Sequence, residues 1–381
     1  MSPPRKPLRI IHLPIDIGRN VAGLAAAQRA LGHDATCISL QWSALGFNGD
    51  ISFEPEPSAP NRLLAREIGR FRLLWRTLTA ADVVHCHFGR TALSVRSFPL
   101  RDPAAEGPGE QLRLAYARLF WMKDLPLWRA LGKTIAMTFY GDDIRQTSLA
   151  RARNPFSHLH LPEVAAPLAG REPLQRRLSA LMERYADVIY ATNPDLLECL
   201  PARAQLLPYS NMAPAAPPPW PGDGPLKLLH MPTNRSVKGS DLIAAAAIRL
   251  KGTGVAVELT EVENVANDKA LAAIDAHHML VDQLRVGWYG GVAVEAMARA
   301  RPVVAYLHPG DLKLAPAGLA QSLPIINANP ESIFDVLRAQ ALTPKTELRA
   351  LGQRSWAFAI CWHNPAKIAA DVIADYRKGL G

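Results

Sequence analysis

The stretch VDQLRVGWYGGVAVEAMARARPVVAY, Val281 to Tyr306, reads as a strand end, a glycine loop, a helix of small and apolar residues and a buried strand. Gly287, Gly290 and Gly291 let backbone approach a bound molecule closely. The free N–H groups at the start of the following helix, around Val292, suit a phosphate. Glu295 sits one turn into that helix, where a carboxylate reaches a pair of ribose hydroxyls; the plainer alternative is a glycine turn followed by a solvated glutamate. A second constellation is HMPTNRSVKGSDLI, His230 to Ile243. It places Thr233, Arg235 and Lys238 in a loop that leads into a helix opening at Gly239 and Ser240. A guanidinium grips two oxygens at once and an ammonium acts as a point charge. Beside a helix N-terminus the pair makes a diphosphate clamp; standing alone, it reads better as solvated surface charge.

The first half of the chain offers different chemistry. In DVVHCHFGRTAL, His85 and His87 occupy alternate positions of a strand end and face the same side. Such a pair is either a metal site or a satisfied core pair. With no third ligand close in sequence, the non-metal readings are favoured and no metal is expected. TFYGDDIRQ brings Tyr140, Gly141, Asp142, Asp143 and Arg145 into one loop, and its two consecutive aspartates have the look of an acidic metal motif. LPIDIGRNVAG turns at Gly18 after a strand, but no GxGxxG follows, which counts against a dehydrogenase. No order or spacing of Ser, His and Asp indicates a triad.

These residues need elements to position them. At 381 residues the chain fits two domains better than one, and 49% hydrophobic with 20% charged residues is a globular composition. No run approaches the roughly 20 apolar residues of a membrane span. Four widely spaced cysteines read as reduced thiols of a cytoplasmic protein. The net charge of +9 points to an anionic partner, a phosphate-bearing substrate or a membrane surface, well ahead of nucleic acid, for which no motif is present. Strand patterns at 8–13, 35–39, 83–87, 134–138, 188–191 and 205–207 alternate with helical ones. A proline-rich stretch at 211–225 then reads as a linker or hinge, and the alternation restarts from 227. The expected fold is α/β: two Rossmann-like parallel-sheet domains, 1–210 and 226–362, with a final helix in 363–381 crossing back to the first.

The segment GWYGGVAVEAMARARPVVA resembles the donor-site signature of glycosyltransferase family 4, matching it at Gly290, Glu295, Ala296, Met297, Ala298, Pro302, Val303, Val304 and Ala305. The family's first glutamate, eight positions earlier, is Gly287 here. TFYGDDIR is similar to the family's T-F-H-G-x-D-x-R, with Tyr140 in place of the histidine. The resemblance implies a GT-B fold with a cleft between the domains and retaining transfer from a nucleotide sugar without a metal or other cofactor. A UDP-sugar is expected ahead of a GDP-sugar. The acceptor expected is a cell-surface polysaccharide, a lipopolysaccharide or a lipid-linked glycan. It assigns Glu295 to the ribose, Arg235 and Lys238 to the departing diphosphate, and Gly18, Thr233, Val265, Gly290, Gly291 and Val292 to the donor. His87, Tyr140, Asp143, Arg145 and Gly287 fall to the sugar cleft or acceptor. A sugar-nucleotide epimerase, or a silent nucleotide-binding partner of a glycosylation complex, is the alternative.

Two segments, NRLLAREIGRFRLLWRTLT and QLRLAYARLFWMKDLPLWRALGK, interleave arginines with Leu, Phe and Trp. Each reads either as a core stripe with a solvated rim or as a peripheral contact with the anionic inner face of a membrane.

Overall fold

A computed structural model describes residues 6–43, 48–56, 58–94, 97–100 and 107–380. The chain divides into two compact units. The first comprises Met1–Gln146, Gly170–Ser210 and Pro365–Gly381; the second comprises Thr147–Ala169 and Asn211–Asn364.

The first unit is built on a seven-stranded sheet: β1 Arg9–Leu13, β2 Asp34–Ser39, β3 Ile51–Ser52, β4 Val83–His87, β5 Thr134–Phe139, β6 Val188–Ala191 and β7 Gln205–Leu206. Its order is β3-β2-β1-β4-β5-β6-β7, and the paired strands run parallel. β4, β5 and β6 are buried along their whole length, as strands covered on both faces must be. The last helix, Pro365–Gly379, belongs here. Its Ile368, Val372 and Tyr376 share one core with Val21 and Leu24 of the Asn20–Ala30 helix and with Ile10 and Val83 of the sheet.

The second unit carries β8 Leu226–His230, β9 Val257–Glu261, β10 Met279–Val281, β11 Val303–Ala305 and β12 Ile326–Asn327. They form a parallel sheet in the order β12-β11-β10-β8-β9. Both sheets are Rossmann-like. In such sheets ligands bind beyond the carboxyl ends of the strands where the strand order reverses, here between β1 and β4 and between β8 and β10.

The structure differs from the sequence expectation in one segment. Thr147–Ala169, expected within the first domain, clusters with the second unit. Asn154 Nδ2 donates to the Arg285 carbonyl (2.9 Å), and Arg153 pairs with buried Asp311. The proline-rich stretch, expected as a linker or hinge, clusters with the second unit. Prolines donate no hydrogen bond but still present carbonyls, and buried Arg301 donates to that of Pro219 (2.7 Å). Trp356 Nε1 donates to the Ala215 carbonyl (3.1 Å), and the Arg301 guanidinium lies over the Trp220 ring.

Candidate functional site

At the β8–β10 reversal, His230 closes β8. A carbonyl only accepts, so His230 Nδ1–H donates to Val281 O (2.7 Å) and its bare Nε2 accepts from Ser240 Oγ (2.7 Å). Burial pushes the His230 pKa down, in keeping with this neutral form. One imidazole therefore ties β8 to β10 and to the Ser240–Gly252 helix. Arg235 and Lys238, expected in a loop, form a short helical turn, Arg235–Lys238, capped by Asn234 Oδ1 accepting from Val237 N (3.1 Å). The turn ends at Gly239, whose φ of 75° is the left-handed conformation that glycine adopts without strain.

This turn sends its two cations different ways. Lys238 is buried and pairs with fully buried Asp282, just beyond β10; the second carboxylate oxygen of Asp282 accepts from Gly290 N (2.7 Å). Gly290 is the N-cap of the Gly291–Ala298 helix, so lysine, aspartate and the start of that helix form one assembly. A Cβ on residue 290 would stand 3.4 Å from Asp282 Oδ2 and 3.6 Å from Lys238 Nζ, in van der Waals contact with both. Arg235 is turned instead toward Glu263 (2.7 Å) and Glu261 (3.1 Å), whose hydrogen bonds push its pKa further up.

Glu295, half-buried in the same helix, accepts from Asn267 Nδ2 (3.2 Å). That contact ties the start of the Asn267–Ala276 helix, two residues after half-buried Val265, to the glutamate. Gly291 O accepts from Asn211 Nδ2 (3.1 Å); Val292 is half-buried and Thr233 exposed. Gly287 has a φ of 96° and tight surroundings. A side chain there would begin 3.0 Å from His308 Cβ and 3.1 Å from Asp311 Oδ2, groups held by the Thr147–Ala169 segment through Arg153.

In the first unit, Gly18 (φ 61°) opens the turn after β1, and its chain neighbours apart, no heavy atom among the described residues lies within 4 Å of its missing Cβ. His85 and His87 stack, with ring centroids 4.2 Å apart. The third imidazole that the sequence did not place nearby comes from β1, where His12 stands in register with His85. A lone histidine at a strand end carries no signal of its neighbour in the sheet. His87 Nδ1 meets Tyr140 Oη (3.0 Å). The Asp143 carboxylate accepts from Gly141 N (2.7 Å) and Tyr140 N (3.0 Å), while burial pushes its pKa up to about 7. Arg145 is buried. Its desolvation opposes the charge, and Asp195 and Asp142 more than offset that, raising its pKa. The structure thus joins His87, Tyr140 and Asp143 through hydrogen bonds, with Arg145 on the same loop.

Asp282→Asn is expected to lower stability by about 3 kcal/mol, the low end of the cost of breaking a buried pair, because it leaves the Lys238 ammonium uncompensated. Denaturant unfolding reads this, and a loss below about 1 kcal/mol would mean the ammonium finds water. Gly287→Glu, which restores the family's residue, is expected to cost at least about 1–2 kcal/mol from left-handed backbone alone. Thermal unfolding at or above wild-type temperature would show that this loop turns freely.

No family model matches the chain, and no curated protein does. Solved structures do. Over 98% of this chain and 99% of the other, the fold is similar to that of sucrose-phosphate synthase from Thermosynechococcus elongatus, with 15% identity and a TM-score of 0.58. The catalytic domain of starch synthase IV from Arabidopsis thaliana, solved with ADP and acarbose, aligns over 98% of this chain and 100% of its own, with 11% identity and a TM-score of 0.59. WaaG, a glycosyltransferase involved in lipopolysaccharide biosynthesis, aligns over 95% and 99%, with 14% identity and a TM-score of 0.50. The two parallel-sheet units are the Rossmann-like domains of a GT-B fold.

Proposed function

We propose that this chain is a glycosyltransferase that takes a nucleotide sugar in its second unit and passes the sugar, with retention of configuration and without a metal, to a glycan or lipid-linked acceptor. The observation that carries the reading is the Lys238–Asp282–Gly290 assembly at the β8–β10 reversal. It holds an ammonium beside the N-terminus of the very helix that carries Glu295. A diphosphate at that N-terminus would meet free backbone N–H groups and the lysine charge together. Arg235 would join by exchanging Glu261 and Glu263 for phosphate oxygens. Thr233, Gly291 and Val292 line the same end of the sheet, and Val265 would border the base, with UDP favoured over GDP. Gly18 is assigned to the donor, and His87, Tyr140, Asp143, Arg145 and Gly287 to the sugar or acceptor, as the resemblance implies.

The test is a thermal-shift screen of UDP, GDP, ADP and dTDP and their sugars, followed by Glu295→Ala. A carboxylate accepting from two ribose hydroxyls contributes about 1.5–3 kcal/mol. The variant should therefore lose that much nucleotide affinity while staying folded, and its preference for ribose over 2′-deoxyribose nucleotides should shrink. An unaltered preference would remove Glu295 from the ribose and the reading would lose its firmest residue. Product analysis without acceptor separates transfer from epimerisation.

The acceptor is proposed to be reached at an anionic membrane surface, with the protein on the cytoplasmic side. No helix among the described residues is long and apolar enough to cross a membrane. In the Arg62–Ala80 helix, however, Leu64, Ile68, Phe71 and Trp75 recur at helical spacing on one face, and all four are exposed, Trp75 by 67%. Leu112 and Leu119 of the Pro108–Phe120 helix are exposed too, and Phe71 meets Phe120 edge to face. Exposed Arg72, Arg76, Arg113 and Arg118 lie along the same two helices. An apolar stripe among cations suits the headgroup region of an anionic bilayer. Sedimentation with vesicles containing phosphatidylglycerol should retain the protein, and Phe71→Ala with Trp75→Ala should weaken that retention about tenfold. Equal retention by wild type and variant would sink the membrane contact.

A further inference from the structure

The three imidazoles of His12, His85 and His87 bring one ring nitrogen each within 4.8 Å of the others, as a metal centre would. Yet every ring nitrogen of the three already has a hydrogen-bond partner. His12 uses Gln28 and His87, His87 uses His12 and Tyr140, and His85 uses Tyr376 (2.6 Å) and Thr138 (2.7 Å). Tracing where each proton must sit gives the cluster a direction.

One end is set by a backbone amide. Ser210 N–H donates to Asn20 Oδ1 (2.7 Å), so that oxygen accepts and Asn20 Nδ2 is the donor to Tyr140 Oη (3.1 Å). The other end is set by Gln28, whose Oε1 faces His12 Nε2 (2.7 Å); His12 Nε2 therefore carries the proton. Burial holds both rings neutral, so each has one N–H. His12 Nδ1 is then bare and accepts from His87 Nε2–H (3.0 Å). That leaves His87 Nδ1 bare, to accept the Tyr140 hydroxyl proton (3.0 Å). The Gln28 end sets one polarity, and the Asn20 end is compatible with it: Asn20 to Tyr140 to His87 to His12 to Gln28. A longer contact, Gln28 Nε2 to Tyr376 Oη (3.5 Å), extends it toward His85 and Thr138.

We propose that this proton-ordered chain makes Tyr140 Oη a hydrogen-bond acceptor only, so that the Tyr140–Arg145 loop selects a ligand that donates, a sugar hydroxyl, over one that only accepts, a phosphate oxygen. The phenol's single proton points inward to His87 and one lone pair takes Asn20; the remaining lone pair is all that half-buried Tyr140 offers a ligand. His87, His12 and Gln28 are positioning residues acting through Tyr140. The polarity stands on the hydrogen-bond geometry and the neutrality of the buried rings; the sugar as its ligand rests on the glycosyl-transfer reading.

Long-range proton–nitrogen NMR on the full chain with 15N-labelled histidine reads the polarity. His12 and His87 should both show a protonated Nε2 and a bare Nδ1, and Tyr140→Phe should shift Nδ1 of His87 alone. An Nδ1–H tautomer at His87, or a joint shift of all three rings on adding Zn²⁺, would overturn the chain. The ligand class is read with UDP-glucose, UDP-galactose, UDP-N-acetylglucosamine and GDP-mannose, each against its bare nucleoside diphosphate. Tyr140→Phe should weaken binding of the nucleotide sugar about tenfold and leave the bare diphosphate within about twofold. An equal loss on both would take Tyr140 away from the sugar. Failure of all four to bind wild type would overturn the glycosyl-transfer reading and the sugar role of Tyr140 with it, leaving the tautomers to decide the chain separately.

Discussion

The buried pair of Lys238 and Asp282 is the contact around which the carboxyl end of the second unit's sheet is arranged. Two charges withdrawn from water cost several kcal/mol each unless every remaining polar atom is matched. Matching them fixes their neighbours. The lysine must come from the last residue of a helical turn that ends at once in a left-handed glycine. The aspartate must lie just past β10, and its second oxygen must find the Gly290 N–H. That bond in turn sets where the Gly291–Ala298 helix starts, and so where Glu295 is presented.

The two units fill the same topological position by opposite means. At the β8–β10 reversal the polar space is closed with full charges. At the β1–β4 reversal it is closed with neutral imidazoles, a phenol and two amides. Burial makes both choices intelligible: a lone cation there would be costly, whereas either a matched pair or a neutral ring with one proton to give and one to accept is tolerated. The first solution holds a matched ion pair. The second keeps a fixed direction of hydrogen bonding.

Much of this was legible in the sequence. Strand and helix periods located nearly every element of both sheets, because parallel strands covered on two faces are continuous apolar runs. Asp282 was not foreseen, since a single aspartate after a strand looks like any other; only the fold sets it against Lys238. His12 was hidden for the same reason, 73 residues before its strand neighbour His85. For the proline-rich stretch, composition speaks for the backbone's own preferences and is silent about which arginine meets its carbonyls. Arg235 was read as a ligand for an anion, and in the structure its partners are Glu261 and Glu263.

The first unit's core takes in the Pro365–Gly379 helix, whose Tyr376 reaches His85. On a ribosome, residues up to Ser210 emerge long before that helix does. Until it arrives, Val21, Leu24 and the sheet beneath them lack their covering layer. The second unit has no such wait, because all its segments precede Pro365. Domains usually complete in the order they are made, but here the later-starting unit is able to close first, and the earlier one stays an open sheet that a chaperone has reason to shield. The last helix is therefore a timing element as well as a packing one.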